Sequence, residues 1–284
     1  MSRAYAGRTF VRERTIQSGD RIDVDLYTVF QQPGVRRSRS RPTREVQARI
    51  NQRDAERKLL WLLRANFGQG DQVVHLTYRR GEEPADAAAA QKELYNFLRR
   101  LKRERKKRGL PELKYISCTE QGKKGGRLHH HAVISGGMSR DEVEKLWKKG
   151  YANARRIQWG EDGAAGLAVY LAEFGGRKPT YRRWNRSRNL TTPEPDYRDG
   201  AVSVAELREL AEETENGMST AAEELERRYP GYEVTQVEVS WNSVNLHPHI
   251  RFELRRISGG PRRAAGGTAP SGRGRRGGRA GPSD

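Results

Sequence analysis

Cysteine and long apolar stretches are nearly absent from this chain. Cys118 is the only cysteine among 284 residues, so neither a disulfide framework nor a zinc site built from cysteines is available. No apolar stretch reaches the roughly 20 residues of a transmembrane helix, and the N-terminus lacks the apolar core of a signal peptide. These absences predict a cytoplasmic chain with no membrane partner.

Acidic residues are in the minority. The formal net charge is +19, which indicates a polyanionic partner, because the release of counterions from nucleic acid supplies most of its non-specific affinity for basic proteins. A membrane surface is the other common polyanion, but the sequence contains no basic amphipathic helix with an aromatic face. Nucleic acid is therefore the favoured partner.

Composition divides the chain into four parts. Residues 1–44 form a β-rich arm and a basic linker, and residues 45–200 hold the best-patterned helices and strands. Residues 201–257 read as a helix, interrupted near Asn216, and two closing strands that we expect to pack on the main domain. Residues 258–284 contain mainly Gly, Arg, Pro, Ser and Ala, which predicts a disordered basic tail.

Periodicity in the main domain predicts strands interleaved with helices. The predicted helices cover residues 45–67, 86–108, 139–149 and 164–174, and the predicted strands cover residues 71–78, 114–120, 127–135 and 152–159. A tight hairpin joins the two middle strands. This order predicts an α+β fold in which helices cover one face of an antiparallel β-sheet, as in ferredoxin-like domains.

The second strand of the hairpin contains three consecutive histidines, in the stretch GRLHHHAVI. Side chains two apart on a strand share a face, so His129 and His131 point the same way and His130 points the other way. Two neighbouring imidazoles can bind a metal ion. Alternatively, such histidines are ordinary half-exposed polar positions of a strand.

Glu120 lies on the first strand of the hairpin. If the hairpin closes symmetrically about its loop, Glu120 lies opposite Arg127 and shares the face of His129 and His131. The hairpin would then offer two nitrogens and one carboxylate oxygen to a divalent cation.

A tyrosine nucleophile is available on the predicted helix GAAGLAVYLAEFG. Tyr170 lies on one helical face with Leu167, Leu171 and Phe174, and we expect this face to pack on the sheet. Tyr170 is then a core aromatic, or a phenol aimed at a phosphate held by the metal site. The two interpretations are compatible.

Six short pieces of the sequence occur in a distinctive order. They are VHLTY at 74–78, YISCTE at 115–120, GRLHHHAVI, LWKKGYANARRI, the tyrosine helix and SRNL at 187–190. The order, together with the 39 residues from His131 to Tyr170, resembles the HUH single-strand endonucleases. The resemblance is specifically to the rolling-circle replication initiators, or Rep proteins, of bacteriophages and plasmids.

The resemblance implies a ferredoxin- or RRM-like HUH endonuclease fold over residues 45–200. It also implies that Mg²⁺ or Mn²⁺, held by His129, His131 and Glu120, polarises a phosphate of single-stranded DNA at a replication origin. Tyr170 then cleaves the strand and forms a 5′-phosphotyrosine link that permits rejoining. Because the sequence has no phosphate-binding loop of a helicase, the expected partners include the helicase and polymerase of a bacterial host.

Two departures from the family pattern matter. Many relatives carry a lysine three residues after the tyrosine, whereas this chain has Glu173, so the helper lysine is missing or comes from elsewhere, such as Lys178. Phe174 stands where the tandem-tyrosine branch has its second tyrosine. A single-tyrosine enzyme is implied, whose second strand transfer uses another subunit, Tyr181 or water.

Basic and aromatic residues near these motifs are candidates for DNA contacts. Arginines would hold phosphates, and Trp184 or Tyr181 would stack on an unpaired base. The predicted DNA-binding residues are Arg127, Arg155, Arg156, Arg182, Arg183, Trp184 and Arg188. A solvated surface position is the alternative for each arginine. His247 and His249 repeat the His-x-His spacing, but Pro248 removes a strand hydrogen bond, so we do not expect a metal there.

Two other functions remain open. A non-catalytic protein that binds single-stranded DNA or RNA would explain the charge, the sheet and the Arg/Gly-rich tail, but it makes no use of two histidines together with Tyr170. A relaxase or transposase would use the same chemistry. Relaxases usually place the tyrosine before the histidines, where Tyr5 is the only early candidate.

Overall fold

The computed structural model describes residues 8–31, 44–122, 126–160, 164–175, 184–242 and 246–257. Its strands are β1 (Arg8–Ser18), β2 (Arg21–Gln31), β3 (Gln72–Thr77), β4 (Tyr115–Gln121), β5 (Leu128–Ile134), β6 (Ala152–Arg156), β7 (Asn185–Arg186), β8 (Pro195–Asp199), β9 (Tyr232–Trp241) and β10 (Pro248–Arg256). Its helices are α1 (Arg44–Asn66), α2 (Ala87–Lys107), α3 (Arg140–Lys145), α4 (Ala165–Gly175), α5 (Val204–Glu215) and α6 (Thr220–Arg228). The predicted disordered tail, residues 258–284, lies outside the described residues.

The predicted α+β class is confirmed, and the strands form two antiparallel sheets of five. One sheet has the order β6-β3-β5-β4-β7, and we call it the histidine sheet. The other has the order β8-β1-β2-β10-β9, and we call it the terminal sheet. From β3 to α4 the elements follow the predicted order. The capping box predicted at Ser139 and Glu142 opens α3.

Helices cover both faces of the histidine sheet, so the prediction of helices on one face is wrong. Helices α2 and α3 pack against the face that carries Leu76 and Ile134. Helices α1 and α4 pack against the other face, which carries Ile116 and Val133. The central strands bear apolar side chains on both faces, and each apolar face needs a cover that keeps it from water.

The register of the β4–β5 hairpin also differs from the symmetric closure. Glu120 pairs with His129, not with Arg127, and Cys118 pairs with His131. The connection closes instead between Gly122 and Arg127, where the Gly122 amide donates to the Arg127 carbonyl at 3.2 Å. The observed partner is two residues further along β5, and a shift of two preserves the face. Glu120 therefore lies on the face of His129 and His131, as predicted.

The terminal sheet joins the two ends of the chain. Strand β2 pairs with β10, so that Leu26 lies opposite Ile250 and Val24 opposite Phe252. These four side chains are buried under α5 and α6 in one apolar cluster. The interruption predicted near Asn216 is confirmed, because α5 ends at Glu215 and α6 begins at Thr220. The division of the chain at residues 44, 200 and 257 stays a prediction.

Helix α1 contacts both sheets. Its apolar residues Leu59 and Leu63 are buried in the cluster on the histidine sheet. On its other side, the Trp61 indole donates to Asp23 at 2.9 Å, and Arg64 donates to Glu253 at 3.0 Å. None of the helices within the described ranges is both long enough and apolar enough to cross a bilayer.

Candidate metal and tyrosine site

Three histidines meet on one face of the histidine sheet. His75 on β3 pairs with His131 on β5, and Thr77 pairs with His129, so the three imidazoles occupy neighbouring positions. One ring nitrogen of each lies within 4.8 Å of the others. The rings of His75 and His131 are parallel with centroids 4.6 Å apart, and His129 meets both edge-on. Three nitrogens gathered in this way fit a single metal ion.

His75 is the site residue that the sequence reasoning missed. It is a single histidine in the alternating strand VHLTY, where nothing local separates it from an ordinary polar position. Its Nε2 atom is buried and has no hydrogen-bond partner in the described part of the chain. Buried ring nitrogens normally have a partner, so this atom is suited to bind a ligand that is not part of the chain.

Glu120 lies beside the two predicted histidine ligands. Its Oε2 atom is 3.1 Å from His129 Nε2 and 3.4 Å from His131 Nε2. On the far side of the His129 ring, Nδ1 is 3.1 Å from the Arg127 carbonyl oxygen. A backbone partner of this kind fixes the ring so that Nε2 faces the carboxylate. The structure thus brings together the predicted residues His129, His131 and Glu120, and it adds His75.

Burial keeps the central imidazoles neutral. Burial, together with the neighbouring rings of His75 and His129, lowers the pKa of His131 to about 3. Burial and the neighbouring His129 lower the pKa of His75 as well. Both rings are therefore uncharged at physiological pH. The neutral imidazole is the form that binds a metal ion.

His130 takes no part in this cluster, in agreement with its predicted position on the opposite face. Its Nε2 is 2.7 Å from the Tyr78 hydroxyl, and its Nδ1 is 2.9 Å from the Thr119 hydroxyl. Its side chain is fully buried beside Trp147. Both ring nitrogens have partners, so His130 fixes the sheet and its helices rather than offering a free ligand.

Tyr170 projects from α4 toward the histidines. The helix packs on the sheet through buried residues, among them Ala168 and Leu171. Tyr170 itself remains 41% exposed. Its hydroxyl is 3.4 Å from both ring nitrogens of His131, and the two rings meet edge-on at 5.0 Å. Tyr170 is therefore more than a core aromatic, because its oxygen reaches both the cluster and solvent.

The phenol of Tyr170 is held in its protonated form. Burial, followed by the charge of Glu120, raises the pKa of Tyr170 above its ordinary value. A nucleophilic phenol must lose this proton when it attacks. The site therefore needs a group or an ion that stabilises the phenolate.

The predicted arginines on the edge strand β6 point to different faces. Arg155 pairs with Val73 and Arg156 with Gln72, and both arginines are exposed. Val73 lies on the histidine face, since it neighbours the cluster under α1 and α4, so Arg155 shares that face. Arg156 belongs to the opposite face.

The other predicted DNA-binding residues have varied surroundings. Arg127 forms an ion pair with Glu83 at 2.7 Å, and Trp184 is half-buried against the apolar cluster under α1 and α4. Arg188 is exposed. Four residues named from the sequence lie outside the described ranges: Lys178, Tyr181, Arg182 and Arg183. A role in DNA binding stays a prediction for all of them.

His247 and His249 form no metal cluster in the described residues, as the sequence led us to expect. His249 Nε2 is 2.9 Å from Asp25, and His247 Nδ1 is 3.4 Å from the Thr28 hydroxyl. The two histidines are thus engaged with the terminal sheet, on which Asp25 also binds arginines.

Comparison with known proteins gives one family. Residues 71–174 match the model of the family described as replication-associated protein of the ORF2 type. No curated protein and no solved structure matches the chain. The matched region runs from the start of β3 to the end of α4 and contains His75, Glu120, His129, His131 and Tyr170. The match supports a family of replication initiators and hence a role in the initiation of replication.

Proposed function

We propose that this chain is a rolling-circle replication initiation protein that nicks single-stranded origin DNA through Tyr170. The proposal depends above all on one observation, the Tyr170 hydroxyl 3.4 Å from both ring nitrogens of His131. A half-exposed phenol beside a cluster of neutral imidazoles and a carboxylate is the arrangement that tyrosine transesterification needs. The match to a family of replication-associated proteins supports the biological setting.

The residues of the cluster fit a divalent cation. His75, His129 and His131 offer three nitrogens, and Glu120 offers a carboxylate at their side. When bound there, the ion would neutralise negative charge on the scissile phosphate. Because Mg²⁺ prefers oxygen ligands, a site with three imidazoles is expected to favour Mn²⁺ over Mg²⁺.

The covalent step uses the tyrosine of the chain itself. The Tyr170 oxygen attacks the phosphorus and loses its proton, the bond from phosphorus to the 3′-oxygen breaks, and the departing 3′-oxygen gains a proton. A 5′-phosphotyrosine ester remains, so the energy of the broken bond is kept for rejoining. Attack by a 3′-hydroxyl on this ester reverses the step and releases Tyr170.

A single strand is the proposed substrate. The phenol must lie in line with the departing 3′-oxygen, and an unpaired strand can bend to present its phosphate in that way. Arg155, exposed on the histidine face, is the best-placed of the predicted phosphate contacts. The host helicase and polymerase would supply unwinding and synthesis.

The test is to incubate the full chain with Mn²⁺ and a labelled single-stranded oligonucleotide taken from its replicon. We expect a protein–DNA product that survives boiling in detergent, and we expect EDTA to abolish it. Binding without a covalent product or a shortened strand would instead indicate a non-catalytic single-strand binding protein.

A further inference from the structure

Helix α2 carries a row of cations on its outward face. Its buried residues Leu94, Leu98 and Leu101 lie along one side. The opposite side, at helical spacing, is exposed and cationic. It consists of Lys92, Arg99, Lys102, Arg103, Lys106 and Lys107. We call these six residues the α2 basic face.

Acidic residues do not neutralise this face. The two acids of α2 lie on its flank and have other partners, since Glu93 pairs with Lys149 at 3.3 Å and Glu104 with Arg108 at 2.9 Å. Within the described ranges, no ion pair joins a cation of the α2 basic face to a carboxylate. Arg99 donates to the neutral amide of Asn96 at 2.6 Å. The positive charge of the face is therefore available to a partner.

The face also has a shaped surface. A groove of about 480 Å³ is lined by Ala88, Gln91, Lys92, Tyr95, Asn96 and Arg99. Tyr95 is 44% exposed within it. A helix rises about 1.5 Å per residue, so the cations from Lys92 to Lys106 extend over roughly 21 Å. Phosphates of one B-DNA strand succeed each other every ~3.4 Å along the axis, so the row spans about six base pairs.

The α2 basic face and the histidine cluster lie on opposite faces of the same sheet. Helix α2 packs with Leu76 and Ile134, whereas His75, His129 and His131 lie on the other face, under α1 and α4. A DNA segment on α2 is thus separated from the tyrosine by the thickness of the sheet. The DNA that α2 holds is therefore a different segment from the strand that reaches Tyr170.

We propose that the α2 basic face binds the phosphate backbone of double-stranded DNA. A rigid helix holds its cations at fixed spacing, and the duplex presents phosphates at fixed spacing, so the two match without ordering a flexible strand. The site gives affinity without sequence preference. It would keep the protein on duplex DNA whether or not Tyr170 is the nucleophile.

The test compares two variants of the full chain with equal loss of charge. One carries Lys102→Gln, Arg103→Gln and Lys106→Gln on α2. The control carries Arg49→Gln, Arg53→Gln and Lys58→Gln at exposed positions of α1. Fluorescence anisotropy with a blunt duplex of about 20 base pairs, repeated over a range of NaCl concentrations, gives the affinity and its salt dependence.

We expect the α2 variant to bind the duplex at least about tenfold more weakly in ~0.1 M salt. The slope of log affinity against log salt should fall by about 2.7, for three lost phosphate contacts at about 0.9 each. The control should stay within about twofold of the wild type. Circular dichroism should show folded protein in both.

Three results would overturn the proposal. The first is an equal loss of duplex affinity in the α2 and α1 variants, which would mean that total charge alone matters. The second is an equal loss of affinity for duplex and for a single-stranded oligonucleotide in the α2 variant. The third is unchanged duplex binding together with lost binding to vesicles of anionic phospholipid, which would make the face a membrane contact.

Discussion

The imidazole rings of His75 and His131 lie parallel on paired strands, with centroids 4.6 Å apart. The two residues come from strands separated by a long helix in sequence, and the register of β3 with β5 alone brings them together. Since His75 Nε2 is buried without a partner in the described residues, the pair presents a nitrogen that the chain itself does not use. His75 is therefore expected to be a metal ligand.

Replacing His75 should weaken metal binding. In a His75→Gln variant we expect the affinity for Mn²⁺ to fall at least about tenfold, since loss even of a group that only supports a ligand costs 10- to 100-fold. Isothermal titration calorimetry measures this directly. The matched control is His247→Gln on the terminal sheet, which should bind Mn²⁺ as the wild type does.

The same titration separates His75 from the two predicted ligands. His129→Ala and His131→Ala should each lose Mn²⁺ affinity and strand cleavage while keeping the fold. An unchanged Mn²⁺ affinity in His75→Gln, with a loss in His131→Ala, would show that His75 stacks beside the site without binding the ion.

Asp25 is expected to stabilise the contact between the terminal sheet and α1. Its side chain is only 1% exposed and lies 3.1 Å from Arg57 of α1 and 3.0 Å from Arg251 of β10. Removing one partner from a buried ion pair costs about 3–5 kcal/mol. Asp25→Asn should therefore lower the free energy of unfolding by roughly 3 kcal/mol at neutral pH, as measured by urea denaturation.

The pH dependence gives this prediction a definite sign. Burial alone would raise the pKa of Asp25, but the hydrogen bond with His249 and the charges of Arg57 and Arg14 outweigh it and hold the pKa well below its usual value. Below about pH 4 the unfolded chain takes up a proton that the folded chain does not. The advantage of the wild type over Asp25→Asn should then shrink by about 1.4 kcal/mol per pH unit. An advantage that does not change between pH 6 and pH 3 would contradict this account.

The Arg/Gly-rich tail should contribute affinity without chemistry. Residues 258–284 contain six arginines and one acidic residue. Truncation at residue 257 should weaken DNA binding and flatten its salt dependence, because fewer counterions are released. Cleavage at saturating DNA should be unchanged. A truncated protein that binds DNA but no longer cleaves it would give the tail a catalytic role.

Local signals were sufficient for the histidine sheet. Alternation, helical spacing and the Ser139 capping box predict elements that agree with β3 to α4 to within a few residues at most ends. The hairpin register was wrong by two positions, because loop length is not encoded in strand periodicity, but the face was right since side chains alternate with a period of two. His129, His131 and Glu120 were therefore placed on one face correctly.

Long-range contacts were not accessible from local patterns. Tyr27 pairs with His249 across most of the chain, and no periodicity within either strand indicates that partner. The stripe of α1 predicts a buried face but not which side of the sheet it covers, which is why helices were expected on one side only. His75 was missed for the same reason, as its proximity to His131 depends on strand pairing.

The most direct test of the central claim is to locate the covalent DNA linkage by mass spectrometry of peptides. After reaction with Mn²⁺ and single-stranded origin DNA, the nucleotide should be found on Tyr170. Tyr170→Phe keeps the ring and its packing, so it should fold normally but lose both cleavage and the adduct, whereas the control Tyr181→Phe should retain the first cleavage. An adduct on Tyr181, or an adduct that persists in Tyr170→Phe, would contradict the assignment of Tyr170 as the nucleophile.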